Sequence, residues 1–539
     1  MFNKHTITES HFVQSNHSSA LEKITNSSAL SQEIAATALD FAILNSLLIR
    51  WDGKLTSAPV SILPSAFDKN KFNQACDVQR VLNKIILGLN CLDSRVFRNI
   101  IVDDVLGDLK ENDHLVGKLV EVFEEKYGGN GPSFEDYGTF GVIRSDFMVD
   151  QESDKLSMIE FNTIASGLLH HGKKMIEFHK VMKQVVENKT GLNLDYELPE
   201  FDLSDNIVRT FCEAYSLYPE TKHSKSPSII FIDEDPNPLT PIGNLDQRGL
   251  ELELRKKLPK TDILRFSISE LSNNCSVSID PTGHLIVDGL EIAVVYFRSG
   301  FDISHYVNEK CWEIRKLIEN SRVIKCPDIK THLLTCKLVQ TELHKSTDGL
   351  IYKNLSLPSD EVDQFMATGV EQLELTPSFR TALLKSEKGF GEMNLENFVL
   401  KEMDEGGFSQ VISGSSEIMD ILRKSEDAAS LKHFLLMKKV KPEAKETFKI
   451  SEETVSNGVN RVQLTQELGI FGCFVLDGKR VEKKSFDGNI ENSRFENKDV
   501  GKLVVAEKTS GYIVRSKYAD AVYGSFSKGT AALDSIFLV

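Results

Sequence analysis

The stretch N-F-V-L-K-E-M-D-E-G-G-F-S-Q, Asn397 to Gln410, most constrains what this chain can fold into. Phe398, Val399 and Leu400 are strand formers, and they deliver Lys401 to the end of a strand, where a loop containing Glu405, Gly406 and Gly407 begins. That combination suits a polyphosphate. A lysine neutralises phosphate oxygens as a point charge, glycines let backbone N–H groups approach closely, and a carboxylate can hold a magnesium ion bridging the phosphates. The same string also describes an ordinary polar turn after a strand, so the rest of the chain has to decide between the two.

At 539 residues the chain exceeds one ordinary core, and two or more packed units are expected. Its apolar fraction of 41% and charged fraction of 26% are those of a globular protein. A formal charge of −16, from 79 acidic and 63 basic residues, argues against a general nucleic-acid binder. An anionic small ligand would need its own cluster of basic residues. The eight cysteines show no C-x-x-C pair and no zinc-holding spacing, which fits a reduced, cytoplasmic chain. N-x-S/T triplets at Asn16, Asn26, Asn188, Asn274 and Asn354 keep open a secreted form whose signal is absent here. The longest apolar run, Ile34 to Ile49, carries Asp40 and Asn45 and is too short to span a bilayer, so no membrane partner is expected.

The apolar spacing predicts helices over 31–49, 72–90, 175–190, 204–217, 246–257, 305–320 and 330–343. Strands are predicted at Phe140–Met148, Ser157–Thr163, Ser228–Asp233, Asp262–Ser267, Glu291–Phe297, Phe434–Met437, Arg461–Leu464, Gly469–Val475 and Gly511–Ser516. A charged excursion from Asp477 to Lys502 reads as an exposed hairpin or loop, and Gly128, Gly129 and Gly131 as a turn. The expected organisation is a polar N-terminus at 1–30 with the composition of a flexible extension, then a first part of a main unit at 31–220. An inserted α/β unit at 226–330 follows, after a polar linker, and 331–539 completes the main unit.

Polar side chains two apart in a strand share one face. Glu160 and Asn162, opposite Ile159 and Phe161, are oxygen donors placed to hold magnesium, or else the wet face of an amphipathic strand. Arg144 with Asp146, and Arg515 with Lys517, have the same relation; an arginine at a rigid strand end can grip a carboxylate with both arms, and is otherwise a surface charge. Arg298 ends five apolar residues and needs a partner. Lys337 snorkels from a helix or meets phosphate, and Glu467 ends a turn or meets a ribose. Met437 and Lys439 are core plus a solvated end, or an adenine edge and a phosphate contact.

In this order the blocks I-R-S-D-F-M, M-I-E-F-N-T-I, L-D-Q-R, I-A-V-V-Y-F-R-S-G-F, K-C-P-D-I, C-K-L-V-Q, F-V-L-K-x-x-x-E-G-G, L-L-M-K-K, E-L-G-I-F-G and R-S-K followed by A-L-D-S resemble the eukaryotic-type glutathione synthetases. The resemblance runs from about residue 30 to the C-terminus and implies a mixed α/β, ATP-grasp-like fold with an inserted substrate-binding unit and a glycine-containing lid loop. It implies magnesium ligands at Glu160, Asn162 and Glu405. It implies ATP contacts at Lys337, Lys401, Gly406, Gly407, Met437, Lys439 and Glu467. The substrate γ-glutamylcysteine would meet Arg144, Ser166, Gln247, Arg298, Arg515 and Lys517, with Phe526 and Ser527 in the loop that closes on the substrates, and Arg144, Arg515 and Lys401 would be the catalytic set. Implied partners are small molecules, glycine or another amino-acid acceptor among them, and a second copy in a homodimer.

The departures from the family pattern are specific. Its lid reads K-P-Q-R-E-G-G-G-N-N, whereas Glu402, Met403 and Asp404 precede Glu405 here and Phe408, Ser409 and Gln410 follow Gly407. Phe301 replaces a usual tyrosine, and Phe526 and Ser527 stand where valine and alanine are usual. The expected function is ATP- and magnesium-dependent ligation of γ-glutamylcysteine to glycine through an acyl phosphate. The alternatives are a ligase of the same mechanism with an altered acceptor or donor, and a binding protein that keeps the fold with weak or no turnover.

Overall fold

The computed structural model describes residues 4–51, 54–129, 134–221, 224–234, 245–355, 357–385, 393–402, 411–424, 434–451, 459, 461–478, 504–519 and 531–539. Its architecture is mixed α/β. A 13-stranded sheet runs through the molecule among the described residues, with a separate 4-stranded sheet beside it.

The large sheet is mixed, mainly antiparallel around Arg461–Asp477 and with a parallel group of strands beyond Gly138–Val149. The long strand Arg461–Asp477 pairs antiparallel with Val504–Tyr518 on one side and with Gly138–Val149 on the other, and Leu156–Asn162 pairs antiparallel with Gly138–Val149. The strands expected at Arg461–Leu464 and Gly469–Val475 are therefore one strand, because Thr465 to Leu468 continue the ladder between two neighbours. Ala444–Ile450, Val60–Ser61 and Ala531–Asp534 close a ring of pairings back onto the same long strands. At the parallel end, Ile324–Cys326 joins Gly138–Val149 to Leu290–Phe297, which pairs with Ser228–Asp233 and through it with Ile263–Ser267. Parallel strands are covered on both faces, which is why I-I-F-I and I-A-V-V-Y-F are almost continuously apolar.

The 4-stranded sheet runs Gln372–Glu374, Phe434–Lys438, Phe398–Glu402, Val411–Ser413, all antiparallel. Leu395, Phe398, Leu400, Ile418, Leu422 and Leu436 give it a small core of its own. Burying about six such side chains stabilises it by roughly 1.5–3 kcal/mol each before chain entropy is charged, so this sheet can hold its shape as a unit.

Element boundaries differ from the sequence expectation where local geometry intervenes. The helix expected over 31–49 spans Ser28–Leu44; Asn45 closes it by donating its N–H to Phe41, Ser46 takes φ 60°, and Leu48–Trp51 becomes a strand. The polar N-terminus carries a helix, Lys4–Thr25, that buries Ala20, Leu21 and Ile24. The helix expected over 305–320 begins at Glu309 behind an Asn308 cap, and the one expected over 330–343 is split into Ile329–Leu333 and Lys337–Leu343. The excursion after Asp477 lies outside the described residues from 479 to 503. No helix among the described residues is long and apolar enough to cross a membrane.

Candidate active site

Four neighbouring antiparallel strands build the site, each contributing positions two apart on one face. Register sets Arg144 opposite Asn162 and Asp146 opposite Glu160; across the other edge Asp146 faces Gly469, and Glu467 faces Arg515. Arg144, Asp146, Glu160, Asn162, Glu467, Gly469, Arg515 and Lys517 thereby share one surface of the sheet. Gly469 is glycine for a spatial reason. A Cβ there would sit 3.0 Å from both the Arg144 Cδ and the Asp146 Oδ1.

Asp146 is the hub. Arg144 grips it with two arms, Nε to Oδ1 at 2.7 Å and Nη2 to Oδ2 at 2.9 Å, and Arg515 Nη2 donates to Oδ2 at 2.8 Å. Asn162 Nδ2 adds a longer contact of 3.4 Å to the same oxygen. Arg515 also donates to Glu467. The small sheet reaches across to this surface through Lys401, whose ammonium pairs with Glu160. Lys337, buried at the start of its helix, adds its field to Glu160.

The electrostatics follow from burial and this clustering. Burial pushes the Glu160 carboxyl up, but Lys401, Lys337 and Arg515 together outweigh it and hold it well below the ordinary carboxylate range. Burial raises Glu467 above that range despite Arg515. Burial lowers Lys517, with Glu467 opposing and Arg515 and Lys401 reinforcing. Arg144, Lys337, Lys401, Arg515 and Lys517 set against Asp146, Glu160 and Glu467 leave a formal excess of two positive charges, in a chain whose total is −16. A half-dry, cation-rich face of this kind attracts polyanions and strengthens each contact it makes with them.

A second group stands beside the first. Arg298 Nη1 donates to the Ser166 carbonyl at 2.6 Å and Arg144 Nη1 to the Gly167 carbonyl at 3.4 Å, so the turn Ala165–Leu168 lies between two arginines. The Ser166 hydroxyl is turned inward, toward the Asn162 and Val142 carbonyls at 3.1 and 3.4 Å. Gln247 Oε1 accepts from Arg265 Nη1 at 3.0 Å. Guanidinium nitrogens only donate, so this contact settles the amide orientation and leaves Gln247 offering its Nε2 donor. Arg265 is itself fixed by Asp233 at 2.7 Å and Glu251 at 2.6 Å.

Met437 is buried in the 4-stranded sheet opposite Val399, and the Lys439 N–H donates to the Asn397 carbonyl at 2.7 Å, which places both beside the strand that carries Lys401. Glu405, Gly406, Gly407, Phe526 and Ser527 lie outside the described residues. Asp146, Asp246 and Arg265 are participants beyond the site residues expected from sequence. Asp146 has a signal, since it shares the Arg144 face; Asp246 lies in the L-D-Q-R block, but nothing local shows its role, because its partners belong to the start of a distant helix.

Glu160 and Asn162 are oxygen donors with a mostly ionised carboxylate, the chemistry a magnesium ion takes. Among the described residues no group of three or more His, Cys, Asp or Glu could hold a metal. Two protein donors still fit, since magnesium normally completes its octahedron with water and phosphate oxygens.

The family described as "Eukaryotic glutathione synthase, ATP binding domain" matches residues 28–538, nearly the whole chain. The chain belongs to this family. It is 27% identical over 523 residues to a human glutathione synthetase, covering 94% of this chain and 97% of that one. It is 26% identical over 491 residues to the chloroplastic glutathione synthetase of Arabidopsis thaliana, covering 90% of this chain and 79% of that one. Among solved structures, the apo form of GSS30, a glutathione synthetase-like effector of Globodera pallida, superposes with a TM-score of 0.66 at 18% identity, covering 96% of this chain and 99% of that one. That likeness establishes the fold alone.

Proposed function

We propose that the protein is an ATP- and magnesium-dependent ligase that joins γ-glutamylcysteine to glycine through an acyl phosphate. The observation that carries this reading is the cation-rich face, where Lys401 reaches from the small sheet to Glu160 and Arg515 bridges Asp146 and Glu467. Lys401, which pairs with Glu160 across the two elements, would be placed to meet the phosphates of bound ATP. Glu160 and Asn162, with Glu405, would hold magnesium, which would neutralise charge developing on the migrating phosphoryl group. Lys337, Met437, Lys439, Glu467, Gly406 and Gly407 complete the nucleotide contacts. Arg144, Arg298, Arg515 and Lys517 neutralise and orient the dipeptide carboxylates, and Gln247 offers its amide donor to a carboxylate or carbonyl. Closure of the lid and of the loop with Phe526 and Ser527 excludes water from the acyl phosphate. Eight free cysteines, most of them buried, fit a cytoplasmic setting, and the reading includes a homodimer and small-molecule substrates.

One observation favours a second reading, a ligase of the same mechanism with another acceptor or donor. Phe301, where a tyrosine is usual, meets the His305 ring edge-on at 4.7 Å and offers no hydroxyl. The test is ADP release with magnesium, ATP and γ-glutamylcysteine while the acceptor is glycine, β-alanine, serine or none. Turnover with glycine alone supports the first reading and turnover with another acceptor the second. Ligand binding without ADP release leaves a fold-retaining binding protein and defeats both.

A further inference from the structure

The turn Ala165–Leu168 connects the strand carrying Glu160 and Asn162 to the helix Leu169–Thr190, and its backbone is unusual. Ala165 has φ 52° and Leu168 φ 73°, ψ 25°, so two non-glycine residues occupy the left-handed region that favours glycine. A Cβ on Gly167, between them, would lie 3.4 Å from Arg298 Nη2, so the Arg298 guanidinium rests directly against the turn. The helix that follows has no capping side chain of its own, because Leu168 stands where Ser, Thr, Asp or Asn is usual.

Its amides are satisfied from elsewhere. Asp246, on the helix Leu245–Lys257, accepts from Leu168 N at 2.8 Å and Leu169 N at 3.2 Å through Oδ2, and from His170 N at 2.7 Å and His171 N at 3.0 Å through Oδ1. Its carboxylate is buried, and although burial raises it, the side chain and the amide of His171 outweigh burial and hold it well below the ordinary carboxylate range. Its charge also faces Arg298. The turn is therefore held at three points: Arg298 on the Ser166 carbonyl, Arg144 on the Gly167 carbonyl, and Asp246 on the amides that follow.

We infer that Asp246 is a positioning residue for the proposed reaction: it locks the Ala165–Leu168 turn so that Arg144 and Arg298 present their remaining donors to the dipeptide substrate, and it does so without touching substrate. The inference rests on the ligase reading. It has a second consequence. A helix N-terminus with free amides is itself an anion site; with the Asp246 carboxylate filling this one, the substrate's carboxylates are left to the arginines, whose planar forks select geometry as well as charge.

The test uses Asp246→Asn in the full-length protein. The asparagine keeps the size but offers one acceptor and turns a donor toward two of the four amides. Amide exchange at Leu168 to His171 is expected to accelerate by roughly ten-fold or more. KM for γ-glutamylcysteine is expected to rise roughly ten-fold while KM for ATP stays within about two-fold, since the ATP contacts lie on other elements. Asp113→Asn, which weakens the N-cap of the distant helix His114–Tyr127, where Asp113 accepts from Val116 N at 2.9 Å, is the control and leaves the dipeptide KM unchanged. Unchanged exchange in Asp246→Asn, or ATP and dipeptide KM values rising together, overturns the positioning role. Absence of ADP release in the unmodified protein instead overturns the ligase reading, and the exchange measurement then decides the positioning of the turn alone.

Discussion

Replacing Arg515 by methionine removes a cation that bridges Asp146 and Glu467 while keeping an unbranched apolar stem. Asp146 is fully buried and keeps Arg144, so its loss is partial; Glu467, about one-fifth exposed, loses the ion pair the structure gives it. Removing one partner of a fully buried pair costs about 3–5 kcal/mol, and with Arg515 itself 24% exposed the discounted expectation is about 2–3 kcal/mol at neutral pH. The pH dependence has a definite sign. The Glu467 carboxyl is already raised by burial, and without Arg515 it rises further. A carboxyl raised on folding favours the native state at low pH and loses that contribution as pH rises through its folded value. Arg515→Met is therefore expected to be less destabilised at pH 5.5 than at pH 7.5, and Glu467→Gln in the same chain to recover part of the loss. Urea midpoints of the wild type, single and double variants at both pH values measure this. ADP release should fall by about a hundred-fold in both variants, because stability is restored without the substrate-facing cation. A single variant destabilised relative to the wild type by the same amount at both pH values, and not rescued by Glu467→Gln, would refute the assignment of a charge bridge.

Three further outcomes are expected. Glu160→Gln lowers ADP release by about a hundred-fold and raises the half-saturating magnesium concentration; an unaltered magnesium dependence argues against Glu160 as a ligand. Because Lys401, Lys337 and Arg515 hold this carboxyl low against burial, its contribution to stability is present above the ordinary carboxylate range and disappears only as pH falls through its depressed value, so the wild-type advantage should be constant from pH 7 to 5. Asp534 is buried and accepts from the hydroxyls of Ser61 at 2.6 Å, Ser65 at 2.7 Å and Ser516 at 3.1 Å, yet burial still pushes it up from 3.8 to about 6. Its ionisation costs about 3 kcal/mol above pH 6, so the wild type should gain stability between pH 7.5 and 5 in urea titrations, and Asp534→Asn should lose most of that gain. Gly469→Ala pushes on Arg144 and Asp146, and a displacement of a few tenths of an ångström there should raise KM for the dipeptide several-fold with little change in that for ATP; equal effects on both would place the disturbance elsewhere.

Periodicity made much of the architecture legible. The apolar runs of Gly138–Val149 and Leu290–Phe297, and the i, i+2 placement of Arg144 with Asp146, Glu160 with Asn162 and Arg515 with Lys517, are local properties of a strand, and a strand puts alternate side chains on one face whatever surrounds it. The family resemblance was equally legible, since it rests on ordered blocks of sequence. Boundaries were less so: Ser46 breaks a helix whose apolar pattern continues, and one ladder fuses two expected strands into Arg461–Asp477. What the chain determined by itself was therefore which residues face together along each strand. Which strands lie side by side, and hence that Arg515 bridges Asp146 to Glu467, that Lys401 crosses to Glu160 from another sheet, and that Asp246 caps a helix far from it in the chain, was decided only by the tertiary structure. Those contacts join residues separated by 48 to 369 positions, and no spacing along the chain encodes them, because they depend on register and packing between elements.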